Sequence, residues 1–172
     1  MPKAKEPTKS SLLRDRPLLF VDIDGVISLF GFRPDATPQG TWTQVDGIAH
    51  LLSATAARHL HDLRSLYELV WCSGWEEKAN EHLPHLLDLG PFEHLSFPVD
   101  ADAEHWKLGS VDAFARDRPL AWIDDDHNEA CHRWAERRQA PTLLVATDPP
   151  TGLDDACAAR LVEFAKSLQT AG

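Results

Sequence analysis

Leu18-Leu19-Phe20-Val21-Asp22-Ile23-Asp24-Gly25-Val26 is the stretch on which the reading of this chain turns. Four apolar residues in a row, followed at once by polar residues and a glycine, read as a short buried parallel strand. Side chains alternate along a strand, so Asp22 and Asp24 leave its carboxyl end on the same face. That end is where open α/β sheets hold their ligands. Gly25 lets the chain turn away in a conformation that a Cβ would penalise. Two carboxylates about 4 Å apart repel by roughly 4 kcal/mol at an effective dielectric of about 20. A bound divalent cation offsets that cost, and so does a shared proton.

Downstream, strand and helix patterns alternate. Residues 41–45 alternate in polarity like one arm of a small hairpin. Ser53 is placed to cap a helix reaching about Ser65, with Ala57, Leu60 and Leu63 turned to a core. Residues 67–72 form a second strand ending at Ser73-Gly74, and a helix is expected over about residues 75–82, kinked or restarted at Pro84. Residues 94–97 are a weaker third strand, followed by a helix over residues 107–116. Residues 120–123 are a fourth strand closed by Asp124-Asp125-Asp126. A helix over residues 128–138, a fifth strand over 142–145 and a last helix over 153–168 complete the pattern. It predicts a Rossmann-like three-layer α/β fold: a five-stranded, mainly parallel sheet between helices, a small flap hairpin and no large cap domain.

Composition sets the class. The 172 residues are 43% hydrophobic and 26% charged, as in an ordinary globular domain. Residues 17–172 are expected to form one domain behind a flexible basic tail over 1–16 that carries Lys3, Lys5, Lys9, Arg14 and Arg16. No apolar segment follows those cations, so they do not begin a signal peptide. No run approaches the roughly 18 apolar residues of a membrane span. Cys72, Cys131 and Cys157 are odd in number and show no paired spacing, which points to a reducing, cytoplasmic location. The net charge of −10 argues against indiscriminate binding of nucleic acid.

Three strand ends therefore carry polar groups: Asp22 and Asp24 on the first, Ser73 on the second, Asp124 and Asp125 on the fourth. Lys107 opens the helix before the fourth strand. In this order, each at its strand or helix position, the set resembles the four motifs of the haloacid dehalogenase-like (HAD) phosphatases, and the resemblance covers nearly the whole chain after the tail. It implies that Asp22 is a nucleophile forming an aspartyl-phosphate. Asp24 would protonate the leaving alcohol and then deprotonate the attacking water. Ser73, with backbone N–H groups around Ile23, Asp24 and Gly74, would hold the phosphoryl oxygens, and Lys107 would neutralise charge. Asp125 would ligate Mg2+ beside Asp22 and the Asp24 carbonyl, with Asp124 a close second and the choice left open. An all-oxygen, carboxylate-rich site independently suits magnesium.

Residues 26–50 are long enough for a hairpin flap but not for a folded cap, and residues 75–107 are filled by core elements. The chain therefore resembles capless members of that family, and its Trp-containing, acid-pair motifs look similar to the polynucleotide phosphatase and nucleotidase branches. The expected partner is a phosphorylated substrate, either a small phosphomonoester or a nucleic-acid end, and no membrane. The competing reading is a catalytically silent phosphate-binding module of the same fold. Two other features read as structural. His127, Cys131 and His132 have the look of a zinc pattern without a second cluster, and are taken as helix surface. Trp71, Trp75, Trp106 and Trp122 are taken mostly as core, with Trp75, beside Ser73, the one placed to face a substrate ring.

Overall fold

The computed structural model describes residues 15–171, so most of the expected basic tail lies outside the described residues. At the tail's expected end the Arg16 guanidinium donates to the Arg64 carbonyl at 2.8 Å. Eight strands and five α-helices follow in the order β1 (Leu18–Val21), β2 (Ser28–Leu29), β3 (Gly40–Val45), β4 (Ile48–Ser53), α1 (Ala54–Leu63), β5 (Glu68–Trp71), α2 (Lys78–Leu87), β6 (Glu93–His94), α3 (Leu108–Ala115), β7 (Leu120–Asp124), α4 (Glu129–Arg137), β8 (Thr142–Ala146) and α5 (Asp155–Thr170).

Five strands make one sheet in the order β6-β5-β1-β7-β8, and every neighbouring pair is parallel. The four apolar residues of β1 occupy its centre and are all buried, because alternate residues serve opposite cores. Leu19 and Val21 pack with Ala57, Leu60 and Leu63 of α1, Leu83 of α2 and Leu161 of α5. Leu18 and Phe20 pack with Val111 and Ala115 of α3 and Cys131 of α4. A strand buried on both faces reads as an unbroken apolar run, which is why β1 shows no alternation in sequence. The expected three-layer α/β fold is the observed one. No helix among the described residues is long and apolar enough to cross a membrane.

The chain leaves β1 for β5 on one side and returns to β7 on the other, so the direction of winding reverses at β1. Ligand crevices of parallel sheets form at such a reversal, beyond the carboxyl ends of the strands.

The expected flap is a three-stranded antiparallel sheet, β2-β4-β3, in which β3 and β4 are the hairpin and β2 adds an inner edge. Three local expectations shift. Helix α2 begins at Lys78 rather than near Trp75, because Glu76 takes a left-handed φ of 47°. It then runs through Pro84 to Leu87. Strand β6 covers Glu93–His94 rather than residues 94–97, since its partner β5 ends at Trp71 and offers no ladder beyond it. Of the supposed zinc pattern, Cys131 is fully buried and the His127 ring packs 4.7 Å from Trp122, so neither is helix surface; only His132 is exposed.

Candidate active site

Register brings the strand ends together. Val21 is level with Trp71 on one side and Ile123 on the other, so Asp22 emerges between the tips of β5 and β7. Asp22 is 5% exposed. Its Oδ1 accepts the Ile23 N–H at 2.8 Å and lies 3.0 Å from Lys107 Nζ. The Ile23 N–H, expected on a phosphoryl oxygen, is here occupied in orienting Asp22.

Lys107 is buried and bridges two acids: its Nζ donates to Asp124 Oδ2 at 2.6 Å. Asp124, fully buried at the end of β7, also accepts from Trp122 Nε1 at 3.2 Å and from the Asp126 N–H at 3.0 Å. Its carboxylate is thus saturated by donors. Asp125 is half-buried, and its carboxylate lies near those of Asp22 and Asp124. A Cβ at Gly25 would overlap the Asp125 carboxylate, and Gly25 itself takes φ 80°. Only glycine fits this turn, both for its backbone and for the space it leaves.

The electrostatics follow from three carboxylates sharing one ammonium. Burial pushes the Asp22 carboxyl up to about 8; Lys107 opposes that rise and Asp124 adds to it. Burial and the Asp124 charge also raise Asp125. Asp124 is buried too, but Lys107 outweighs burial and holds its carboxyl below the usual range. Burial alone would depress the Lys107 ammonium, yet Asp22 and Asp124 together raise it. Both Asp22 and Asp125 are thus pushed towards their protonated forms, one of the two ways to offset adjacent acids.

A cation is the other way. Asp22, Asp124 and Asp125 each place a carboxylate oxygen within 4.8 Å of the others, a convergence of hard oxygen donors. These residues fit a small divalent cation, and Asp125 has the less committed carboxylate of the two candidates at the end of β7.

Asp24 is held differently. Its side chain is 53% exposed. Trp75 Nε1 donates to Asp24 Oδ2 at 3.1 Å, and His50 Nδ1 of β4 stands 3.7 Å from Asp24 Oδ1. Trp75 is therefore a buried brace for Asp24 and not a surface for a substrate ring. His50 is in turn held by Ser28 at 2.8 Å and meets Trp75 edge-on at 4.9 Å.

These groups open onto a cavity of about 300 Å³ lined by Asp22, Asp24, Gly74, Trp106, Lys107, Asp124, Asp125 and Asp126. Ser73 is buried, its Oγ accepting the Trp75 N–H at 3.2 Å. The structure thus gathers Asp22, Asp24, Gly74, Lys107, Asp124 and Asp125 at one cavity; Ile23 and Ser73 are buried and are not among its lining residues.

Four residues of the site escaped the sequence reading. His50 had no signal beyond its place on the second hairpin arm. His105 accepts the Lys107 N–H on Nδ1 at 3.2 Å, so its Nε2 carries the proton donated to the Asp126 carbonyl at 3.0 Å. It ties the Lys107 loop to the loop after β7. Thr147, just past β8, donates from Oγ1 to the Gly25 carbonyl at 2.8 Å and braces the turn after Asp24. Trp106, expected in the core, is half exposed on the cavity wall, and its neighbour Lys107 was the available clue.

No protein-family model matches the sequence, and no curated protein matches it. Among solved structures, it is similar to the HAD domain of effector protein Lem4 from Legionella pneumophila, at 14% identity and a TM-score of 0.53, over 90% of this chain and 94% of that one. At that identity the likeness shows the fold alone: this chain has a HAD-like α/β fold.

Proposed function

We propose that the chain is a magnesium-dependent phosphomonoester hydrolase working through an aspartyl-phosphate on Asp22. The observation that carries this reading is the convergence of Asp22, Asp24, Lys107 and Asp125 on one cavity at the strand tips of a HAD-like fold. Asp22 and Asp125, with Asp124 behind them, would hold Mg2+. When bound, that ion would neutralise charge on the carboxylates and on the phosphoryl group.

The protein's own groups do the rest. Asp22 Oδ1 is pinned by the Ile23 N–H and Lys107, which fixes the orientation of the whole carboxylate. Its attack on phosphorus breaks the bond to the ester oxygen, which leaves with a proton from Asp24. Water then attacks the same phosphorus, Asp24 takes its proton, and Asp22 is regenerated as inorganic phosphate departs. Asp24 meets the requirement for this double role, being half in solvent while held from behind by Trp75. The backbone of Gly74, on the cavity wall, would hold the phosphoryl oxygens together with the neighbouring Ser73.

A phosphate-binding module without activity has no use for a second aspartate braced at the cavity mouth. The test is hydrolysis of phenyl phosphate, with magnesium and with excess EDTA. Metal-dependent turnover is expected; its absence across a panel of aryl, sugar and nucleoside monophosphates would favour the silent module.

A further inference from the structure

The phosphoryl chemistry leaves Trp106 unexplained. This residue stands directly before Lys107, is 49% exposed, and lines the cavity that holds Asp22 and Asp24. Its far edge lies against the loop after β5, since a Cβ on Gly74 would sit 3.6 Å from Trp106 Cη2. Lys107 Nζ is 4.9 Å from the indole centroid and 3.0 Å from Asp22 Oδ1, so one ammonium touches both the ring and the nucleophile.

The ring is held in place. Phe97 meets it edge-on at 4.8 Å. His105 lies near-parallel to it, with an interplanar angle of 16°, and is itself fixed by hydrogen bonds to the Lys107 N–H and the Asp126 carbonyl. A second cavity of about 320 Å³, bounded by Pro98, His105 and Ser110, also has the indole in its wall. A large apolar ring, braced by neighbours yet left half in water, forgoes burial free energy that a stacked ligand would recover. The contrast with Trp71 and Trp122 is plain: both are buried in the core.

We propose that Trp106 is a stacking platform for a flat, neutral aromatic ring carried by the alcohol portion of the substrate. The proposal rests on the hydrolase reading and narrows its substrate class. The cavity sets Asp24, Asp125 and Asp126 against the single cation Lys107, and the chain carries a net charge of −10. A leaving group with further phosphates would meet these carboxylates, whereas a neutral ring needs no countercharge. An aryl ring and a nucleobase share this chemistry.

The test reads binding, so it stands apart from turnover. With magnesium present, calorimetry would compare phenylphosphonate with ethylphosphonate on wild type, Trp106→Ala and Trp106→Phe. Adenosine 5′-monophosphate would be compared with ribose 5-phosphate in the Asp22→Asn background, with and without Trp106→Ala. The ring-bearing member of at least one pair should bind about tenfold tighter, the size expected of one stacked ring. Trp106→Ala should reduce that preference to about twofold or less, and Trp106→Phe should keep most of it. The pair that responds identifies aryl group or base as the source. Equal or unmeasurable binding within both pairs, or a preference that survives Trp106→Ala, overturns the proposal. Failure of the hydrolase reading would show separately, as no turnover of any ester while the ring preference persists.

Discussion

Asp22 and Asp24 are separated by one residue, yet one is 5% exposed with one oxygen held by Lys107 and the Ile23 N–H, and the other has over half of its side chain in solvent. The difference follows the two sheets. Asp22 belongs to the strand tips of the parallel sheet, where Lys107, Asp124 and Trp122 form a dry network built on β7 and the start of α3. Asp24 belongs to the flap side, where His50 and Trp75 brace it at the edge of solvent. Burial gives a group a fixed direction, which a nucleophile needs. Partial exposure lets a group give up and take back a proton, which a general acid and base needs.

The strand-tip side should break hardest. Lys107→Ala leaves Asp22 and Asp124 buried without their counter-charge and should cost about 3–5 kcal/mol of stability, read by denaturant unfolding. A loss near zero would mean that the network is looser than its distances state. Lys107→Met, which keeps the volume, should lose less stability but as much activity.

Next in size is the metal. Asp125→Ala should weaken magnesium binding more than Asp124→Ala in a calorimetric titration, because the Asp124 carboxylate is already engaged by Lys107, Trp122 and the Asp126 N–H. The reversed order would move the ligand to Asp124. In the wild type, affinity should rise with pH as it approaches 8. Asp22, raised to about 8 by burial, then surrenders the proton that competes with the cation. Affinity flat across that range would mean that Asp22 does not carry the competing proton.

The flap side should yield the smallest effect. His50→Ala removes one brace from a half-exposed Asp24 and leaves Trp75 in place, so kcat should fall by roughly tenfold or less, a small part of what a general acid supplies. Stability should be little changed, as His50 lies on the peripheral sheet. A loss as deep as that of Asp24→Asn would make His50 a proton-transfer group in its own right.

The parallel sheet was legible because β1, β5 and β7 are runs of apolar residues ending abruptly in polar ones, a signal that depends on nothing distant. Asp22 and Asp124 were legible for the same reason, each sitting at a strand's end, whereas Lys107 stood out only as part of the four-motif resemblance. What escaped depends on tertiary choices. Glu76 in a left-handed conformation moved the start of α2, and no residue type announces it. His50 is one alternating position among several on β4, and only the folding of the flap over β1 brings it to Asp24. Trp75 and Trp106 are the same residue type, each one or two positions from a motif residue; packing turned one into a buried brace and the other into a half-open wall.

The most direct measurement is to quench a single turnover of phenyl phosphate in acid and map the phosphoryl group by mass spectrometry of the peptide containing Asp22. The account predicts a phosphoryl group on Asp22 in the wild type, with neither adduct nor turnover in Asp22→Asn. Phosphate release with no protein-bound phosphoryl group, and an Asp22→Asn variant that still turns over, would contradict it.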